Sequence, residues 1–92
     1  MKRYQELVEL IEKYRIEHNF TEVEFKRLCS IKFYDLDLFN KEYNILYEDN
    51  NPNSLSYEFV FTLCHYVGAS PFVVLQKSLD NYYKMTRKNI YL

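Results

Sequence analysis

Residues 20–39, FTEVEFKRLCSIKFYDLDLF, hold two helical patterns with a break between them. Thr21 and Glu24 have the spacing of a capping box: the Thr21 hydroxyl can accept the Glu24 amide while the Glu24 carboxylate accepts the Thr21 amide. Phe25, Leu28 and Cys29 then share one helical face. Ser30 marks the break, and Ile31, Leu36 and Phe39 form the next apolar set. The pattern predicts a helix from Glu22 to about Cys29. A second should begin near Lys32 or Phe33 and continue through Tyr43 and Leu46 to about Tyr47. Helices joined so tightly must cross steeply.

The flanking sequence repeats the helical period. Tyr4, Leu7, Val8, Ile11 and Tyr14 predict a first helix from about Lys2 to His18, ended by Asn19, with Leu10 widening its apolar stripe. Downstream, residues 48–54 (EDNNPNS) contain no apolar side chain and read as a loop. Ser54 or Ser56 can cap a fourth helix whose inner face is expected to be Tyr57, Val60, Phe61, Cys64 and Val67, with Gly68 as its stop. Ser70 then caps a fifth helix with Pro71 at its first position, where no amide is needed. Val74, Leu75 and Leu79 are expected inside, and the pattern runs to about Arg87.

Ninety-two residues make one domain. The expected core spans about residues 4–79, with a helical extension over 80–92. The chain is 48% hydrophobic with ten Tyr and seven Phe, which excludes disorder. One Gly and two Pro leave little turn chemistry for hairpins, so an all-α fold is expected. The N-terminal MKRYQELVEL lacks a signal-peptide core and no apolar run is long enough for a membrane span, so the expectation is a soluble, cytoplasmic protein. Cys29 and Cys64 fall at apolar helical positions and read as reduced, buried thiols.

The order and spacing of these elements resemble the Cro and lambda-repressor type of helix-turn-helix. Arg15 stands where members carry an Arg late in the first helix. The two-helix motif follows at 20–39, then a Pro-containing loop, then VFTLCHYVGASPFVVL as a Gly-ended helix and a Ser-capped one. The resemblance covers about Leu7 to Leu79. It implies a five-helix lambda-repressor-like DNA-binding-domain fold, here with extended third and last helices, and a role in transcription regulation. It also exposes departures. Lys26 replaces a small residue at the helix–helix contact, and Ser30 replaces the turn Gly. Glu22 stands where a Gln usually meets a phosphate. Asn40 stands where a Glu usually pairs with the Arg of the first helix.

The third helix and its approach carry the functional reading. Outside the expected core lie Lys32, Phe33, Tyr34, Asp35, Asp37, Leu38 and Lys41, with Glu22 nearby on the second helix. A recognition helix normally offers Arg, Lys, Asn or Gln to base edges. Two Asp meet repulsion from the phosphates, and the formal net charge of -1 lacks the footprint of a strong nucleic-acid binder. Phe33 and Leu38 suit a protein surface, unless the length of this helix makes either of them core.

Other chemistry has weaker support. Cys64 and His65 are adjacent and point roughly 100° apart on a helix, with no CxxC pair, so no metal site is expected. No nucleophile–base pair or phosphate-cradling loop suggests an enzyme or a cofactor. The Tyr and Phe residues could stack on single-stranded bases, yet most have core spacing. Lys84, Arg87 and Lys88 form a basic helix end that suits the dipole. Tyr82, Tyr83 and Met85, with Ile90 and Tyr91, are candidates for a self-association surface, or for a tail folded over the first helix. Two functions remain. The favoured one is a small regulator, of phage or mobile-element type, that contacts a transcription regulator as antirepressors do. The other is a Cro-type operator-binding repressor.

Overall fold

The computed structural model describes residues 1–87 and is all-helical there: α1 (Gln5–His18), α2 (Glu22–Ser30), α3 (Leu36–Tyr47), α4 (Tyr57–Val67) and α5 (Pro71–Thr86). Lys88, Ile90 and Tyr91 lie outside the described residues. No described helix is long and apolar enough to cross a membrane.

Local chemistry sets most boundaries. The capping box forms, with Glu24 N–H donating to Thr21 Oγ1 at 3.1 Å and Thr21 N–H donating to Glu24 Oε1 at 3.0 Å. Asn19 ends α1 in the left-handed region at φ 55°, and Gly68 ends α4 at φ 72°, where a Cβ is disfavoured. Ser56, not Ser54, caps α4, and Ser70 caps α5 with Pro71 behind it.

Two starts differ from the sequence expectation. α1 begins at Gln5, because the residues before it are held by the 48–55 loop. Met1 O accepts Asn50 N–H, Lys2 Nζ meets Asp49 Oδ1 at 2.9 Å, Arg3 Nη1 donates to Pro52 O, and the Tyr4 hydroxyl accepts Leu55 N–H. α3 begins at Leu36, not at Lys32 or Phe33, because Asp35 is a strong cap whose carboxylate accepts Leu38 N–H at 3.0 Å. Residues 31–35 are therefore a connection, not helix.

α4 is the helix on which α1, α2 and α5 pack. Phe59, Val60, Leu63 and Cys64 form its buried face, against Leu7 and Ile11 of α1, Phe25 and Cys29 of α2, and Phe39 and Tyr43 of α3 within one core. α3 joins this core through rings: Phe39 lies 5.3 Å from Phe59, and Phe33 stands edge-on to both, at 5.1 Å and 6.0 Å. The expected inner face of α4 is corrected by this register. Tyr57 and Phe61 are exposed, and Val67 is half-buried. Leu79 is likewise exposed, while Ser78 is buried with its hydroxyl donating to Leu75 O. Both thiols are free and buried, as expected.

Candidate functional site

The late start of α3 leaves Ile31 outside the helix and Leu36 in its first turn. Phe39, Glu42, Tyr43 and Leu46 turn inward. Leu36, expected in the core, is 57% exposed, and Ile31 is 74% exposed. Phe33, expected at the outer surface, is buried against Phe39 and Phe59, so it is core and not a contact residue. Lys32 and Tyr34 stay exposed, but on the connection and not on a helix; Tyr34 is 85% exposed. Asp35 is the cap, Asp37 and Lys41 are exposed on α3, and Leu38 is exposed at the margin. Glu22 is exposed in the first turn of α2.

The corner between α2 and α3 thus differs from the sequence expectation in composition. Val23, Ile31 and Leu36 are exposed apolar residues that periodicity had not assigned to the surface. Val23 and Leu36 line one cleft of about 290 Å³ with Lys26, Arg27, Ser30 and Asn40. Helical spacing gave no signal for this: Leu36 stands three and seven residues before the buried Phe39 and Tyr43, and it is exposed because it sits in the first turn after the Asp35 cap.

Carboxylates occupy both helix starts at this corner. Glu24 closes the capping box, and hydrogen bonds that its carboxylate accepts from the Thr21 amide and the Thr21 side chain hold its carboxyl below the ordinary glutamate value. Asp35 takes the first-turn amide of α3, and Glu22 and Asp37 add charge beside them. Of the amides that could receive a phosphate at these helix starts, Glu24 N–H is thus taken by the Thr21 hydroxyl and Leu38 N–H by the Asp35 carboxylate.

The departures from the helix-turn-helix pattern are accommodated within the chain. Lys26 turns its ammonium over the Tyr43 ring, 5.0 Å from the centroid, so its charge finds a partner. Arg15 pairs with Glu12 on its own helix at 2.8 Å and donates through Nε to Phe20 O. Glu12 also accepts the Tyr47 hydroxyl at 2.8 Å, which ties α1 to the end of α3. Burial pushes the Tyr43 phenol up to about 12, and it pushes the Tyr47 phenol up further.

The candidate self-association residues are divided. Tyr82 is half-buried beneath the Arg3 guanidinium, 4.8 Å from its centroid, and Asn81 donates to Arg3 O, so this part of α5 folds over the N-terminal segment. Met85 is half-buried and lines a cavity with Met1, Asn50 and Lys84. Tyr83 is exposed beside Arg87. Among the described residues, no group of three or more His, Cys, Asp and Glu gathers in a metal-binding arrangement. No family model, curated protein or solved structure matches the chain.

Proposed function

We propose that this chain is a small transcription-regulatory protein of the Cro and lambda-repressor type that acts through protein contact, as an antirepressor does. The observation that carries this reading is the α2–α3 corner. Val23, Ile31, Tyr34, Leu36 and Leu38 are all exposed there, and Glu22, Glu24, Asp35 and Asp37 stand at the two helix starts. Apolar area of this kind favours burial against a protein. The acids would pair with the basic surface that a DNA-binding regulator presents to its operator. Facing DNA, the same acids would meet phosphate repulsion.

The five-helix order supports the lambda-repressor-like reading of the fold. The connection Ile31–Asp35 is longer than the turn of about three to four residues usual in a helix-turn-helix. A Cro-type repressor remains the second reading, because Arg27, Lys32 and Lys41 are exposed around the same corner.

Fluorescence polarisation on the DNA upstream of the protein's own coding sequence, at two salt concentrations, separates the two. The protein-binding reading expects no sequence-specific binding. It also expects capture of an operator-binding protein whose operator complex the wild type dissolves and the variant Tyr34→Ser with Leu36→Ser does not. Specific duplex binding that weakens steeply with salt would establish the repressor instead.

A further inference from the structure

Three exposed aromatic rings lie in a row along α4 and the start of α5. Phe61 is the middle one, its centroid 6.3 Å from that of Tyr57 and 6.2 Å from that of Phe72. Phe61 is 42% exposed and Phe72 75% exposed, and Val73 is exposed beside it. Aromatic side chains bury about 150–250 Å² each when covered, so the row offers an apolar area on the order of 400 Å². That matches the largest apolar patch of a typical monomer. It is about half of one partner's share of a standard interface, roughly 800 Å².

The charges at the two ends of the row have opposite sign. Glu58, exposed in the first turn of α4 next to Tyr57, makes no ion pair among the described residues. Beyond Phe61, Lys32 and His65 line a shallow cavity of about 250 Å³ with Phe61 and Thr62. The Lys32 ammonium has the Tyr66 ring, 5.8 Å away, as its neighbour and makes no ion pair among the described residues. A uniformly acidic partner would repel Glu58, and a uniformly basic one would repel Lys32. A second copy of this chain, turned about a two-fold axis near Phe61, answers both ends at once, because Glu58 and His65 lie on opposite sides of Phe61 along the helix.

We propose that this face pairs two copies of the chain isologously, with Phe61 at the axis. Tyr57 then packs against the partner's Phe72, and Glu58 faces the partner's His65 and the partner's Lys32. The pairing requires none of the apolar residues of the α2–α3 corner, so it stands or falls separately from the proposed function.

Sedimentation velocity on the full chain tests it, over about 5 to 500 µM, the range suited to a patch below standard interface size. Wild type should shift from monomer to dimer across that range. Phe72→Ser, at a solvent-exposed position and checked for fold by circular dichroism, should weaken the dimer by about tenfold or more. Glu58→Lys and His65→Glu should each weaken self-association. An equimolar mixture of those two variants should recover it, because opposite charges then face each other at both ends of the mixed dimer. A strict monomer across the range, a dimer indifferent to Phe72→Ser, or a mixture no stronger than its parents would each overturn the proposal.

Discussion

The carboxylate of Glu42 accepts two hydrogen bonds from Ser56, from the backbone N–H to Oε1 and from the hydroxyl to Oε2, each 2.8 Å long. Glu42 is buried on α3, and Ser56 is the cap of α4, its Oγ accepting Phe59 N–H at 3.2 Å. One acid thus orients the cap of the central helix and places negative charge at the positive end of its dipole.

Glu42→Ala should therefore destabilise the fold by about 2–3 kcal/mol, since it strips a charged acceptor from two donors near the core. Glu42→Gln should cost less, because one acceptor oxygen remains. Urea unfolding followed by circular dichroism measures both. A change within about 0.5 kcal/mol for the Ala variant, as at ordinary surface sites, would show that water replaces the carboxylate freely.

The register of α4 gives a paired prediction. Phe59 is fully buried between Phe33 and Phe39, so Phe59→Ala should cost about 3–5 kcal/mol through lost burial and the cavity left behind. Phe61, at the surface, should cost less than about 1 kcal/mol on the same change. The same denaturant titrations decide it, and equal costs would mean that both rings are core.

The two thiols should be inert in the native state. Burial pushes Cys29 up to about 12 and Cys64 up to about 11, so the nucleophilic thiolate is scarce near neutral pH. Mass spectrometry after iodoacetamide treatment at about pH 8, below the ordinary thiol value near 8.5, should find both unmodified until denaturant is added. Prompt labelling of the folded chain would contradict this.

The capping box should make the start of α2 acid-sensitive. Glu24 is held below its ordinary value by the bonds to Thr21, so the unfolded chain binds its proton at higher pH than the folded one. The stabilisation is therefore full above the ordinary glutamate value and is lost as pH falls through the depressed one. A carbon-detected NMR titration should give Glu24 a lower midpoint than a free glutamate, with the Thr21 and Glu24 amide shifts following it. Thr21→Ala should return the midpoint toward the ordinary value.

Caps and helix order were legible in the sequence because they rest on contacts within four residues of each other. Thr21 with Glu24, Asn19, Gly68, and Ser70 with Pro71 all act where the residue types alone imply. Helix faces were not legible where both sides are apolar. In α4, Tyr57 and Phe61 compete with Phe59 and Leu63 for the interior, and helical periodicity fits either choice. Only packing decides. The rings of Phe33 and Phe39 meet Phe59, and this leaves Tyr57 and Phe61 for the surface. The α2–α3 corner followed the same rule. The sequence alone determined that acids and apolar residues crowd it. The cap at Asp35 and the burial of Phe33 in the tertiary core decided which of them face outward: Ile31, Tyr34 and Leu36 are exposed because the Phe33 ring, two residues before the cap, is the one held inside.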